Sequence, residues 1–211
     1  MSRHRRLVDE FTEILEPDPE EFHRYHDVPG IEVRHRAAVL MGFVWHENAW
    51  QMLFIRRAHN TRDRHSGQVA FPGGRAEATD ASLADTALRE TEEEIGLPRR
   101  NITVLAELES YTTLSGYRVT PIAAVIDHWP LPLVLQESEV AHVFLMPLAW
   151  LQDPANVSLR ARPDSAIAHR HPVVVFEAFG EDVLWGATAR MVMHALKALA
   201  DSTLILPRSH P

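Results

Sequence analysis

The chain of 211 residues contains no cysteine. That excludes a disulfide framework, a thiol nucleophile and a thiolate metal centre, so any bound metal must be held by oxygen or imidazole. It also lacks a run of the roughly 20 apolar residues that a membrane helix needs. The basic start Met1-Ser2-Arg3-His4-Arg5-Arg6 leads into Asp9, Glu10, Glu13 and Glu16, where a signal peptide would need an apolar stretch. These absences favour a cytoplasmic protein with no membrane association. Positive charge is scarce overall: the net charge is -8 and the pI about 5.9, which argues against general nucleic-acid binding. Repeats, low-complexity tracts and linkers are missing too.

Of what is present, an apolar share of 45% and a charged share of 24% fit an ordinary globular protein. The scarce positive charge is also unevenly spread. Arg56, Arg57, Arg62, Arg64 and Arg75, with His59 and His65, face the single acid Asp63 across one stretch. This suggests a local anion site, although solvated surface arginines would give the same pattern. The thirteen histidines form no metal-ligand pattern.

Leu7, Val8, Phe11, Ile14 and Leu15 recur at helical spacing before Pro17, predicting an N-terminal helix within an extension over residues 1–30. A single domain over 31–205 follows. Apolar runs at 36–45 and 50–55 predict a hairpin with a four-residue turn, covered on both faces. After the shaped loop Phe71-Pro72-Gly73-Gly74, a helix is expected from Ser82 as N-cap to Gly96 as stop signal. Strands are expected at 102–109, 118–126, 140–145 and 173–176, with a final helix over about 186–199. Strands on either side of a central helix predict an α+β fold, with a mixed β-sheet sandwiched between helices.

On the central helix Glu90, Glu93 and Glu94 share an arc roughly 100° wide. The apolar face of Ala84, Ala87, Leu88, Thr91 and Ile95 is turned away from them. Like charges so close repel, and Arg89 or a divalent cation would compensate; a few carboxylates plus water suit Mg²⁺. Glutamate is also a strong helix former, so such a run taken alone is more often an ordinary solvated face. The Gly73-Gly74 turn shifts the balance, because it lets main-chain groups approach a metal and a phosphate.

Loop and helix together resemble the Nudix hydrolase signature. Gly74 and Asp80 match its first half, and Arg89-Glu90-Thr91-Glu92-Glu93-Glu94-Ile95-Gly96-Leu97 its second. Asp80 stands where Glu is usual, Thr91 replaces an aliphatic residue, and the spacer from Asp80 to Arg89 is eight residues, one longer than the general signature. The longer spacer is similar to the coenzyme A diphosphatase subgroup, as are Leu53-Phe54-Ile55-Arg56-Arg57-Ala58, Gly67 and Phe71-Pro72-Gly73-Gly74. Phe54 and Ile55 depart from that motif, and the Arg57 to Gly67 loop is one residue longer than its simplest form.

The resemblance implies Mg²⁺ or Mn²⁺ as cofactor, held by Glu90 and Glu94, with Glu93 a further ligand or proton acceptor and Arg89 their orienting cation. Glu139 is a further catalytic candidate, although acids before a strand are also ordinary solvated turns. Arg57, Arg62, Arg64, Gly73 and Gly74 are expected to bind substrate, with guanidinium groups gripping phosphates. The implied partner is a small molecule, coenzyme A or its thioesters. Another nucleoside diphosphate derivative, or a nucleotide-binding protein without catalysis, are the alternatives. A homodimer is common in the family and is left open by the sequence.

Overall fold

The computed structural model describes residues 14–15, 31–60, 65–161 and 172–207. In chain order the strands are β1 (Ile14–Leu15), β2 (His35–His46), β3 (Ala49–Arg57), β4 (Val69–Ala70), β5 (Gly73–Arg75), β6 (Ile102–Glu107), β7 (Tyr111–Thr112), β8 (Tyr117–Ile126), β9 (Val140–Pro147), β10 (Val157–Arg160), β11 (Val173–Phe179) and β12 (Asp182–Trp185). Among the described residues three α-helices accompany them: α1 (Leu83–Ile95), α2 (Leu148–Gln152) and α3 (Gly186–Ala200).

The larger sheet is mixed. β2 runs parallel to β8 from His35↔Tyr117 to Val44↔Ile126, while β3 is antiparallel to both β2 and β9. β2 and β3 stay paired only near their turn. Beyond it β4 joins β3 and β5 joins β2, so the Phe71-Pro72 corner enters between the diverging strands.

β2 is covered on both faces, as its apolar run predicts. Ala38, Leu40 and Val44 pack with Ala87 and Ile95 of α1, whereas Met41 and Phe43 pack with Phe176 and the α3 residues Ala189 and Val192. The sheet therefore lies between α1 on one side and α3 with a second sheet, ordered β1-β10-β11-β12, on the other. This is the expected α+β architecture with a small sheet added to one layer.

The β2–β3 turn is tighter than the four residues expected. His46 pairs with Ala49, and Glu47 and Asn48 have φ of 51° and 61°. Two positive φ values in succession match the twist of a hairpin, so the strands continue to the turn itself. Ile14–Leu15, assigned by spacing to a helix, instead pairs with Arg160 and Leu159 of β10. The open edge of the small sheet supplies the hydrogen bonds a helix would have made internally. The rest of that expected helix lies outside the described residues.

α1 matches its capping signals. Ser82 Oγ accepts from the Asp85 amide at 3.1 Å, Asp85 Oδ2 accepts from the Ala81 amide at 3.1 Å, and Gly96 closes the helix with φ of 68°. Thr91 is fully buried, and its hydroxyl donates to Ala87 O at 2.7 Å, which satisfies the polar group on the helix's packed face. No helix of the described residues is long and apolar enough to cross a membrane.

Candidate active site

The Gly-Gly loop and α1 meet directly. β5 pairs with β2 through Val39↔Gly73 and Ala38↔Gly74, which sets the two glycines against α1. The Gly73 amide donates to Glu94 Oε2 at 2.9 Å. A Cβ on Gly74 would lie 2.6 Å from the Glu90 carboxyl carbon, so only glycine leaves that carboxylate its place. Glu94 is 3% exposed. Burial pushes its pKa up to about 7, with the nearby acids Glu139 and Glu90 adding to the rise against the Gly73 amide and Arg57. Burial also raises the pKa of Glu90, assisted by Glu93 and Glu139 and opposed by Arg89.

Arg89 holds the outer half of the site. Nε and Nη2 donate to Asp80 Oδ1 and Oδ2 at 2.9 and 3.0 Å, a two-pronged grip of the kind a planar guanidinium favours. Nη1 donates to Glu90 Oε1 at 3.0 Å and Glu93 Oε2 at 3.1 Å, and Nη2 reaches Arg75 O at 3.2 Å. The Arg89 guanidinium holds the Asp80 carboxyl well below the usual carboxylate range. Asp80 accepts from Thr86 Oγ1 at 2.8 Å and from the Glu77 amide at 2.9 Å, so it also fixes the loop entering α1. The sequence shows Asp80 only as a position in a motif; its role as the anchor of Arg89 depends on loop geometry that has no periodicity.

Glu139 reaches the site by a different route. The segment before β9 docks on the C-terminal carbonyls of α1: Val134 N donates to Ile95 O at 3.1 Å and Gln136 N to Glu94 O at 2.9 Å. Glu139 N then donates to Gln136 O at 2.8 Å, and Ala58 N to Glu139 O at 2.7 Å. That last bond ties the segment to the end of β3, where Arg57 Nη1 lies 4.0 Å from Glu94 Oε1. Four of the residues singled out by sequence, Glu90, Glu94, Glu139 and Arg57, are thus neighbours. Glu93 lies at the exposed margin with its side chain 60% accessible, and Glu92 turns toward Arg99 Nε at 3.5 Å. Arg62 and Arg64 lie outside the described residues.

Among the described residues no three His, Asp or Glu side chains are gathered into a ready-made metal cage. Glu90 and Glu94 are nevertheless acids whose ionised forms are disfavoured by burial, with a third acid nearby. A divalent cation would relieve that imbalance, and an all-carboxylate donor set suits a hard ion. The residues present fit such an ion.

The NUDIX domain model matches residues 33–168. The uncharacterized Nudix hydrolase NudL of Pectobacterium atrosepticum is 34% identical over 172 residues, covering 81% of this chain and 86% of that protein. Its counterpart in Yersinia pestis is 37% identical over 162 residues, covering 75% and 77%. A MutT/nudix family protein from Enterococcus faecalis shares the fold with a TM-score of 0.53 at 17% identity, over 95% of this chain and 75% of that one. The chain belongs to the Nudix hydrolase family. It is an enzyme, a diphosphatase acting on nucleoside diphosphate derivatives, in a family that generally uses divalent metal ions.

Proposed function

We propose that this enzyme hydrolyses the diphosphate bond of coenzyme A or its thioesters, giving 4′-phosphopantetheine and adenosine 3′,5′-bisphosphate. One observation carries the reading: Glu94 is joined at once to the loop Phe71-Pro72-Gly73-Gly74, through the Gly73 amide at 2.9 Å, and to Arg57 of the upstream motif at 4.0 Å. Those two segments are the ones in which the sequence resembles the coenzyme A diphosphatases.

Glu90 and Glu94, with Glu93 at the margin, would hold Mg²⁺ or Mn²⁺. A bound divalent cation supplies charge withdrawal from the diphosphate and lowers the pKa of an attacking water. Arg89 keeps Glu90 and Glu93 oriented while Asp80 fixes Arg89. Glu139, or Glu93, accepts the proton as water attacks. Arg57, Arg62 and Arg64 are the phosphate-gripping candidates, and Gly73 and Gly74 are the candidate backbone contacts to the substrate.

The test is turnover of coenzyme A by Glu94→Gln and Glu139→Gln, with folding followed by circular dichroism. A folded Glu94→Gln without turnover, and a Glu139→Gln slowed roughly 100-fold or more, support the assignment. Unchanged turnover in Glu94→Gln removes it from the mechanism.

A further inference from the structure

Arg56 and Arg57 are consecutive on β3 and project to opposite faces of the sheet. Arg57 faces Glu94, while Arg56 faces the small sheet. Arg56 Nε donates to Asp182 Oδ1 at 2.8 Å, its Nη2 lies 2.6 Å from the same oxygen, and Nη2 also donates to Glu181 O at 2.7 Å. His142, the direct partner of Arg56 on β9, places Nε2 3.4 Å from Asp182 Oδ2. Asp182 is 8% exposed and begins β12, so one buried carboxylate holds two adjacent strands of the larger sheet.

The position of this clamp is what matters. The β3–β9 register shifts between Arg56 and Arg57, leaving an extra residue on β9 at the last step before the site. Beyond the shift, Ala58 N holds Glu139 O at 2.7 Å. A bulge is where a strand re-aims its side chains, and it has fewer ladder bonds to hold it. A buried ion pair adds little net stability over apolar residues of similar shape, but it gives a directional grip that hydrocarbon does not.

We infer that Asp182 is a positioning residue for the hydrolysis: by anchoring Arg56 beside the bulge it fixes the end of β3 from which the next residue, Arg57, reaches Glu94. The inference rests on the reading of Glu94 and Arg57 as parts of the reactive site. Neither Asp182 nor Arg56 touches that site, yet a shift near 1 Å in a positioned group is enough to slow an enzyme by about 100-fold.

The test is a double-mutant cycle on the full chain with Mg²⁺, using coenzyme A, or ADP-ribose if coenzyme A is inert. Asp182→Asn is expected to lower kcat/KM by about tenfold or more in folded protein, and to lower it no further in an Arg57→Ala background. A purely structural role would cause the same loss in both backgrounds. Because Asp182→Asn leaves the largely covered Arg56 without its charged partner, the apolar pair Arg56→Met with Asp182→Leu serves as the stable second variant. It is expected to keep its melting temperature and show the same loss. Parental kcat/KM in either variant overturns the inference, as does an equal loss in the Arg57→Ala background. Glu94→Gln, run alongside, separates the two failures. If it is inactive while Asp182→Asn is unaffected, only the positioning role falls; if it retains full turnover, the site assignment fails and the positioning role with it.

Discussion

The Gly73 amide donates to Glu94 Oε2 across 21 residues of sequence, at 2.9 Å, and so joins the glycine turn to the last turn of α1. That bond alone does not offset the burial of Glu94, whose pKa rises from 4.5 to about 7. The folded protein therefore keeps a proton that the unfolded chain releases above its ordinary carboxylate pKa. The contribution of Glu94 to stability is fullest below 4.5 and is lost as pH rises through about 7. Urea melts in the presence of a chelator should show Glu94→Gln gaining stability relative to the parent across that window. A pH-independent difference between the two would contradict the assignment. Added Mg²⁺, which needs the ionised carboxylate, should restore the parent's stability most strongly at the upper end.

Gly73 and Gly74 are expected to respond differently to alanine. At Gly73 φ is +148° and a Cβ would lie 2.4 Å from Ala38 O and 2.5 Å from Val39 Cα, both backbone atoms. Gly73→Ala should destabilise the fold by roughly 1–3 kcal/mol, read from chemical denaturation. At Gly74 the three atoms nearest the Cβ all belong to the Glu90 carboxylate, the movable end of a side chain. Gly74→Ala should therefore melt near the parental temperature and lose activity through the displaced carboxylate.

Arg89→Met removes the guanidinium that holds Asp80, Glu90 and Glu93. Turnover should fall by about 100-fold, because the acids lose their orientation as well as their compensating charge. Asp80→Asn keeps Arg89 but replaces its charged, two-pronged partner, so a smaller loss in the same direction is expected. Steady-state kinetics with each variant decides this, and an Asp80→Asn loss equal to or larger than that of Arg89→Met would reverse the proposed order of support.

Much of this site was legible because its information is local. The Ser82 cap, the Gly96 stop and the spacing of Glu90, Glu93 and Glu94 all follow from helix geometry, and the Arg89–Glu93 contact follows from a separation of four residues. The β2 core was legible from its continuous apolarity. What was hidden depends on contacts distant in sequence. The small sheet is assembled from short segments, and Ile14–Leu15 takes a sheet edge despite its helical spacing. Asp182 reaches Arg56 across 126 residues, a separation that no periodicity records. Glu139 is marked in the sequence by resemblance, while its physical route to Glu94 through Gln136 depends on the docking of segment 134–140 against α1.

The most direct test of the proposed substrate is product analysis by mass spectrometry. Coenzyme A, an acyl-coenzyme A, ADP-ribose, a dinucleotide and a nucleoside triphosphate would each be incubated with the purified chain and Mg²⁺ or Mn²⁺. The expected products are 4′-phosphopantetheine, or its acyl form, together with adenosine 3′,5′-bisphosphate, formed at a higher kcat/KM than products from the other substrates. Intact coenzyme A after prolonged incubation, alongside cleavage of ADP-ribose, the dinucleotide or the triphosphate, would contradict it.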